Sequence, residues 1–355
     1  MNIIPIRSAP PQIPQANLPL KGELQDVFGR QIRDLRISIT DRCNFRCAYC
    51  MPNSVFNHGF KFLPHDALLS FEEIERLARL FVEFGVRKIR ITGGEPLLRR
   101  NVEQLIEKLA ALPDVEITLT TNGSRLKQMA ETLKKAGLHR ITVSLDALDE
   151  SIFRQMAGVD FSVRDVLAGI DAAAAAGLEP VKVNMVVRRG TNDDQILPMV
   201  RHFRGSGHIL RFIEFMDVGT ANGWKLDEVL PSRDIIRLVD DEYPVEPVNP
   251  KHYGEVAKRW RYKDGGGEIG VISSVTQAFC SSCTRMRLSP EGGLFTCLFA
   301  QDGYSLRELL RHGGSDAEIC AAIAGVWQKR SDRYSEIRTE NTRRPGRVEM
   351  HYIGG

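Results

Sequence analysis

The chain has 355 residues, of which 43% are hydrophobic and 26% are charged, a composition typical of a globular protein with a sizeable core. No apolar run approaches the roughly 18 residues that a membrane span needs, and the first residues lack the apolar centre of a secretory signal. We therefore expect a cytoplasmic protein without a membrane partner, and the net charge of +3 is too small to indicate a nucleic-acid partner by itself.

Short apolar or β-branched runs alternate with helical patterns after a proline-rich, aperiodic stretch at 1–22, which we expect to be a loose N-terminal arm. The runs predict six buried parallel strands at 35–40, 88–92, 116–120, 140–145, 181–187 and 210–215. This alternation predicts an α/β fold, either an open doubly wound sheet or a full or partial barrel. In both, functional residues gather at the carboxyl ends of the strands.

The ends of the intervening helices can be located in the sequence. Ser70 and Glu73, three residues apart, have the pattern of a capping box at a helix start. Gly85, Gly137 and Gly177 each follow an apolar helical segment and mark a helix end. Each of these glycines lies shortly before the next predicted strand, as a repeated βα unit requires.

The alternation fades after residue 216, and we interpret 217–355 as a C-terminal extension packed against the domain formed by 23–216. Within the extension, GGGEIG (265–270) has the spacing of a dinucleotide-binding loop but runs into a strand instead of opening a helix. It therefore predicts a hairpin turn. Cys320 lies in a helical pattern, which is typical of a small core residue.

Six of the seven cysteines form two groups. The first, in DRCNFRCAYC, has the spacing C-x3-C-x2-C and begins just after the first predicted strand. The second has the spacing C-x2-C-x13-C and lies in the extension. Clustered cysteines in a chain of the cytoplasm indicate metal binding or catalysis rather than disulfides. The members are Cys43, Cys47 and Cys50 in the first group and Cys280, Cys283 and Cys297 in the second.

Each group supplies three ligands, whereas a structural zinc site needs four. His58 or His65 could supply a fourth ligand near the first group. Iron–sulfur clusters are also held by clustered thiolates, and a four-iron cluster with three protein cysteines leaves one iron open to a substrate or cofactor. Two groups that both lack a fourth cysteine favour open clusters over two incomplete zinc sites.

The first group, with Tyr49 before its last cysteine, resembles the radical S-adenosylmethionine (SAM) enzymes. ITGGEP (91–96) and SLDA (144–147), after the second and fourth strands, resemble the segments with which those enzymes hold SAM. Glycines in the first of these let the backbone approach a ligand closely. The resemblance implies a partial (βα)6 barrel, a [4Fe-4S] cluster on the first cysteine group, and SAM contacts from Tyr49, Gly94, Ser144 and Met216.

The second group, followed by TRMR, resembles the GTP 3′,8-cyclase family of molybdenum cofactor biosynthesis. The resemblance runs from about Phe28 to the terminal IGG and includes KIRITGGEPLLRR, LTTNG, RFIEFMDVG and NGW. It implies a lyase with a second [4Fe-4S] cluster on the second cysteine group, whose open iron meets the guanine of GTP. The implied GTP contacts are Arg36, Arg90, Thr120, Lys182, Arg285, Met286 and Arg287.

Guanidinium groups suit a triphosphate because they pair bidentately with phosphate oxygens. Arg285 and Arg287 are two residues apart and would share one face of an extended segment. The implied catalytic residues are these two arginines, the first cysteine group, and Gly354 and Gly355, which are implied to reach into the active site.

The implied reaction removes the C3′ hydrogen of GTP with a 5′-deoxyadenosyl radical and then joins C3′ to guanine C8. The product is (8S)-3′,8-cyclo-7,8-dihydroguanosine 5′-triphosphate. Implied partners are cyclic pyranopterin monophosphate synthase, which takes the product, an electron donor such as flavodoxin or ferredoxin, and a second copy of the chain in a homodimer.

Two alternatives stay open at this point. Another radical SAM enzyme with an auxiliary cluster, for example a peptide-modifying one, would usually carry more C-terminal cysteines. A zinc-stabilised nucleic-acid-binding protein would use the segment 329–347, which holds seven Lys or Arg against three Asp or Glu. On charge alone, a solvated, partly irregular tail explains this segment better.

Overall fold

The computed structural model describes residue 12, residues 22–338 and residues 346–355, so nearly all of the predicted N-terminal arm lies outside the described residues. Six parallel strands joined by helices form the centre of the fold, and each lies within two residues of its predicted bounds. They are β1 (Asp34–Ser38), β2 (Lys88–Thr92), β3 (Glu116–Thr121), β4 (Arg140–Ser144), β5 (Lys182–Val187) and β6 (Ile209–Glu214).

The extension adds six strands to the same sheet. They are β7 (Val245–Val248), β8 (Lys258–Tyr262), β9 (Glu268–Ile272), β10 (Arg285–Leu288), β11 (Gly293–Phe295) and β12 (Tyr304–Ser305). Among the described residues the order is β12-β11-β10-β1-β2-β3-β4-β5-β6-β9-β8-β7. The sheet is wider than predicted because β10 pairs in parallel with β1, and β9 with β6. The glycines of GGGEIG at 265–267 lie in the turn of the antiparallel β8–β9 hairpin, as predicted, and its last three residues begin β9.

The helices that connect β1 to β6 pack their apolar sides on the outer face of the sheet. They are α1 (Phe71–Glu83), α2 (Val102–Ala110), α3 (Leu126–Lys135), α4 (Glu150–Ala157), α5 (Val163–Ala175) and α6 (Ile196–Phe203). The extension adds α7 (Ser232–Glu242), α8 (Arg307–Arg311), α9 (Asp316–Gln328), α10 (Tyr334–Ile337) and α11 (Met350–Ile353), and Met350 of α11 lines the interior cavity. The predicted capping box is present, since Ser70 Oγ accepts from Glu73 N and Glu73 Oε2 accepts from Ser70 N. Cys320 is buried on α9, as predicted. Of the helices in residues 12, 22–338 and 346–355, none is long and apolar enough to cross a membrane.

The strands have an apolar outer face and a polar inner face. On β1, Leu35 and Ile37 belong to the hydrophobic core that the sheet shares with the helices, whereas Asp34 and Arg36 line an interior cavity. The two faces differ because successive side chains of a strand point in opposite directions. The inner face of the sheet is therefore polar, although apolar or β-branched runs predicted these strands to be buried.

Candidate active site

A cavity of about 660 Å³ lies inside the sheet, a volume suited to small-molecule ligands. Both cysteine groups open into it. The first follows the carboxyl end of β1, and the second flanks β10, which runs parallel to β1 and begins just after Cys283. The two groups therefore lie at opposite ends of the strands. The predicted residues that line the cavity are Arg36, Cys43, Cys47, Tyr49, Cys50, Arg90, Gly94, Thr120, Ser144, Lys182, Met216, Cys280, Cys283, Arg285, Arg287, Cys297 and Gly355.

The side chain of Met286, a residue that the resemblance implies to contact GTP, does not line the cavity. Met286 lies on β10 between Arg285 and Arg287, so its side chain points to the opposite face of the strand. There it is fully buried in the hydrophobic core. The two arginines share the inner face, as predicted, and lie opposite Asp34 and Arg36 of β1.

The turn GGEP packs against the backbone that enters the first cysteine loop. Gly94 N donates to Thr40 O at 2.7 Å, and Glu95 N donates to Arg42 O at 2.8 Å. A Cβ at Gly94 would collide with Arg42 O, so only glycine allows this approach. The glycines were predicted to let the backbone approach a ligand closely. At Gly94 the close approach is instead to the backbone that enters the cysteine loop.

Glu95 joins this turn to the next strand. Its buried carboxylate accepts from Oγ1 of Thr121, the last residue of β3, at 2.8 Å and from N of the next residue, Asn122, at 2.7 Å. It also accepts from Leu97 N at 3.0 Å. Burial raises the pKa of Glu95 to about 7 despite these hydrogen bonds. The end of β2 is therefore fixed to the end of β3 directly beside the first cysteine group.

The first cysteine group consists of free, partly buried thiols. Burial raises the pKa of Cys43 to about 12 and raises those of Cys47 and Cys50 as well. The thiolate is the form that binds metal, and coordination to a metal deprotonates a thiol outright. Three such thiols fit a cluster that supplies the missing positive charge.

Asp146 anchors Tyr49 beside this group. Its Oδ2 accepts from Tyr49 Oη at 2.9 Å, and its Oδ1 accepts from Val186 N on β5 at 2.9 Å. Burial raises the pKa of the Asp146 carboxyl to about 6. We did not select Asp146 from the sequence, although it lies two residues after Ser144 in SLDA. Asn184, on the inner face of β5, was also missed.

The second cysteine group lies against arginines. Arg285 Nη2 donates to Cys283 Sγ at 3.0 Å, and Arg330 Nη2 donates to the same sulfur at 3.1 Å. Burial alone raises the pKa of Cys283, but Arg285 and Arg330 outweigh it and lower the pKa to about 6. Burial raises the pKa of Cys297 to about 12. A thiolate at Cys283 is thus favoured even before a metal binds.

Neither histidine that was a candidate fourth zinc ligand reaches the cavity. His58 and His65 do not line it, whereas all six grouped cysteines do.

Cations line the wall between the two groups. Arg90 Nη1 donates to Thr120 Oγ1 at 3.0 Å, which places both predicted residues on one surface. Burial, and then Arg287, lower the pKa of Arg36 well below its usual value. Burial, and then Arg211, lower the pKa of Lys182 to about 6. Buried cations close together are unfavourable unless an anion joins them.

Further cations that line the cavity were missed in the sequence, among them Lys88, Arg140 and Arg211. Lys88 lies 3.8 Å from Asp34, and Arg140 pairs with Glu116. Among the described residues, Nε of Arg36, Arg140 and Arg211 is buried without a hydrogen-bond partner. Since each cation occupies an inward position of its strand, strand alternation was the signal that could have identified them.

The chain terminus enters the same cavity. Arg287 Nη1 donates to Gly354 O, and Gly355 lines the cavity. Gly354 has φ +72°, a left-handed conformation that favours glycine, and a Cβ there would collide with Thr92 Cγ2. Gly354 is therefore required by the space around it, although it is not itself a lining residue.

Two family models cover most of the chain. Residues 37–203 match the radical SAM superfamily, and residues 208–336 match Molybdenum Cofactor Synthesis C. A protein of Acidothermus cellulolyticus named GTP 3′,8-cyclase is 50% identical over 358 residues, which cover 94% of this chain and 99% of that protein. The chain belongs to the GTP 3′,8-cyclase family. A GTP 3′,8-cyclase of Staphylococcus carnosus is 49% identical over 338 residues, with 94% of this chain and 99% of that protein covered.

Solved structures support the fold of this GTP 3′,8-cyclase family member. SuiB of Streptococcus suis, bound to the precursor peptide SuiA, aligns with a TM-score of 0.57 and 16% identity over 75% of this chain and 60% of SuiB. SuiB bound to S-adenosylmethionine aligns with a TM-score of 0.57 and 17% identity over 81% of this chain and 67% of SuiB. Such low identity shows the shared fold alone. The predicted α/β radical SAM fold is confirmed, and membership of that superfamily implies a [4Fe-4S] cluster and SAM.

Proposed function

We propose that this chain converts GTP to (8S)-3′,8-cyclo-7,8-dihydroguanosine 5′-triphosphate, with SAM as the source of the radical, in molybdenum cofactor biosynthesis. The observation that carries the proposal is the cavity itself, which has a three-cysteine group at each end and a cationic wall between them. One end suits SAM on a cluster, the other suits a second cluster, and the wall suits a triphosphate.

In the first half of the site, Cys43, Cys47 and Cys50 would hold a [4Fe-4S] cluster. When bound, this cluster supplies the electron that cleaves SAM to methionine and the 5′-deoxyadenosyl radical. Tyr49, Gly94, Ser144 and Met216 would line the SAM pocket. The hydrogen bond from Tyr49 Oη to Asp146 fixes the ring of Tyr49, so SAM would meet a preorganised surface.

In the second half, Cys280, Cys283 and Cys297 would hold another [4Fe-4S] cluster that meets the guanine. Arg36, Arg90, Thr120 and Lys182 would bind the triphosphate, together with Arg285 and Arg287 and the unpredicted Lys88 and Arg211. The low pKa of Lys182 and the partnerless Nε of Arg36 support this role, because an anion between them would relieve their repulsion.

The cavity would hold C3′ of GTP beside the radical, and substrate bound there would displace water, which limits side reactions. GTP would lose its C3′ hydrogen to the radical that SAM would supply, which gives 5′-deoxyadenosine, and C3′ would then bond to C8. One further electron and a proton complete the product, which is an isomer of GTP. The donor, such as flavodoxin or ferredoxin, would supply both electrons. Arg287 and the terminal glycines would close the substrate pocket, since they contact each other.

The same proposal includes the downstream enzyme, the cellular location, the oligomeric state and the domain division. The product would pass to cyclic pyranopterin monophosphate synthase, the protein would act in the cytoplasm, and two copies would form a homodimer. We also propose the division into an arm at 1–22, a barrel at 23–216 and an extension at 217–355. An assay coupled to the synthase tests the transfer of the product, and light scattering tests the homodimer.

Anaerobic incubation of the iron-loaded protein with SAM, a reductant and GTP deuterated at C3′ tests the proposal. Mass spectrometry should find the cyclised product and deuterium in 5′-deoxyadenosine. Unlabelled 5′-deoxyadenosine beside that product would exclude C3′ as the reacting position. Cys47→Ser should abolish SAM cleavage, whereas Cys320→Ser, on α9, should leave the iron content unchanged. 5′-Deoxyadenosine without any GTP product would favour another radical SAM activity, and a colourless protein would favour zinc.

A further inference from the structure

A buried network of charged side chains lies behind the second cysteine group. Asp26 Oδ2 accepts from Arg30 Nε at 2.6 Å and from Arg330 Nη1 at 3.1 Å. The side chain of Asp26 is 0% exposed, and those of both arginines are 1% exposed. Trp327 encloses the network, with its ring 4.6 Å from the Arg330 guanidinium and its Nε1 donating to Arg30 O. Withholding three ionised groups from water costs free energy unless their charges are matched.

Both arginines reach the second cysteine group directly. Arg30 Nη1 donates to Cys280 O at 2.7 Å, and Arg330 Nη1 donates to Cys283 O at 2.9 Å. Arg330 Nη2 also donates to Cys283 Sγ at 3.1 Å. The turn that contains Asp26 and Arg30 thus holds the backbone of two cysteines that lie far away in the sequence.

The charges of the network do not balance by themselves. Two guanidinium groups face one carboxylate in its buried part, which leaves one positive charge in excess. The carboxylate of Asp332 lies 3.4 Å from Arg330 Nε but is 31% exposed, so water screens it in part. The excess charge is aimed at Cys283 Sγ. A thiolate that belongs to an iron–sulfur cluster would supply the missing negative charge at that position.

We infer that Asp26, Arg30 and Arg330 position the second cysteine group and raise the reduction potential of the cluster that it holds. This inference rests on the second cluster of the proposed function. Hydrogen bonds to cluster sulfurs and nearby charge set the potential of iron–sulfur clusters. Positive charge at Cys283 favours the reduced form, because that form is the more negative. Asp26 and Arg30 lie outside both segments that match family models, 37–203 and 208–336.

The second cluster can be measured alone in the full chain with Cys43, Cys47 and Cys50 replaced by Ser. In this background, Arg330→Gln should retain iron but shift the oxidised-to-reduced ratio at a fixed potential by on the order of tenfold toward oxidised, about 59 mV for one electron. Arg330→Lys keeps the charge and should shift the ratio less. Iron analysis and a redox titration followed by electron paramagnetic resonance give both readouts.

Arg333→Gln is the matched control. Arg333 lies three residues further along, and its guanidinium pairs with Glu336 at 2.7 Å and is 51% exposed. Its loss should leave the potential unchanged, because water screens an exposed charge.

Asp26→Asn tests the inference by a shift of the potential in the opposite direction. Removal of the carboxylate leaves two cations, so the potential should rise, whereas it should fall in Arg330→Gln. Shifts of the same sign, or no shift in either variant, would overturn the inference. If Arg330→Gln loses its iron, the direction of the potential shift in Asp26→Asn decides: a rise supports the inference and a fall overturns it. Loss of iron in these variants and in Arg330→Lys would leave only a structural role. If the chain with Cys43, Cys47 and Cys50 replaced by Ser holds no iron, the proposed second cluster is itself refuted.

Discussion

Lys182 should take up a proton when GTP binds. Burial, and then the nearby cations Arg211, Arg140, Lys88 and Arg90, lower the pKa of its ammonium group to about 6 in the ligand-free protein. At about pH 7.5 the side chain is therefore neutral in most molecules. A triphosphate beside it supplies negative charge, which favours the ammonium form and raises its pKa. Binding should therefore consume up to about one proton at that pH.

The sign of the pH dependence follows from these two states. Below about pH 6, Lys182 is already charged in the free protein, so no proton has to be added on binding. Above it, each pH unit costs about 1.36 kcal/mol, or a tenfold loss of affinity, until the pH passes the pKa in the complex. The contribution of Lys182 to GTP affinity should thus be largest near pH 6 and should fall as the pH rises.

Titration calorimetry in buffers with different heats of ionisation counts the protons taken up. Lys182→Met should bind GTP more weakly at about pH 6 and lose most of the uptake at about pH 7.5. Lys88→Met is the comparison, since the pKa of Lys88 is lowered only to about 8. The last phosphate proton of GTP, with a pKa of about 6, titrates alike in all three proteins and cancels. Equal proton uptake by the wild type and Lys182→Met would refute this reasoning.

Three further substitutions test contacts of the site. Gly94→Ala should lower the iron content without unfolding the chain, because its Cβ would collide with the backbone entering the first cysteine loop; iron analysis with circular dichroism checks this. Gly354→Ala should suppress cyclisation, and a second change, Thr92→Ser, should restore part of it by removing the colliding methyl group, as product analysis would show. Met286→Leu should cost less than about 1.5 kcal/mol of stability and leave GTP binding unchanged, whereas Arg287→Ala should weaken binding on the order of tenfold or more. Equal losses of affinity would contradict the alternation of β10.

Local patterns predicted the elements of the fold well. Strand β2 has the bounds read from KIRIT, and the capping box at Ser70 has both of its hydrogen bonds. The cysteine spacings and the GGEP and SLDA segments predicted the contents of the cavity in the same way. Such features depend on residues a few positions apart, so a linear sequence displays them.

Contacts between distant segments were not predicted. Nothing in the residues around 285 indicates that β10 pairs in parallel with β1, yet this pairing places Arg287 opposite Arg36. Likewise, Arg330 was grouped with a solvated basic segment, but it is buried against Cys283. Sequence charge alone cannot distinguish these cases, because burial depends on the segments that surround the residue.

The inner faces of the strands carry polar and charged residues at alternate positions, a pattern that was overlooked in the sequence. Lys88 and Arg90 alternate with isoleucines in β2, and Lys182 and Asn184 alternate with valine and methionine in β5. Both strands have hydrogen-bonded neighbours on each side, so their charged residues have no sheet edge through which to reach solvent. A buried cation without a partner is costly, and a fold retains several of them only where a ligand compensates that cost. Cations at alternate positions of an interior strand should therefore be interpreted as the wall of an anion-binding cavity, even where the surrounding residues are those of a packed core.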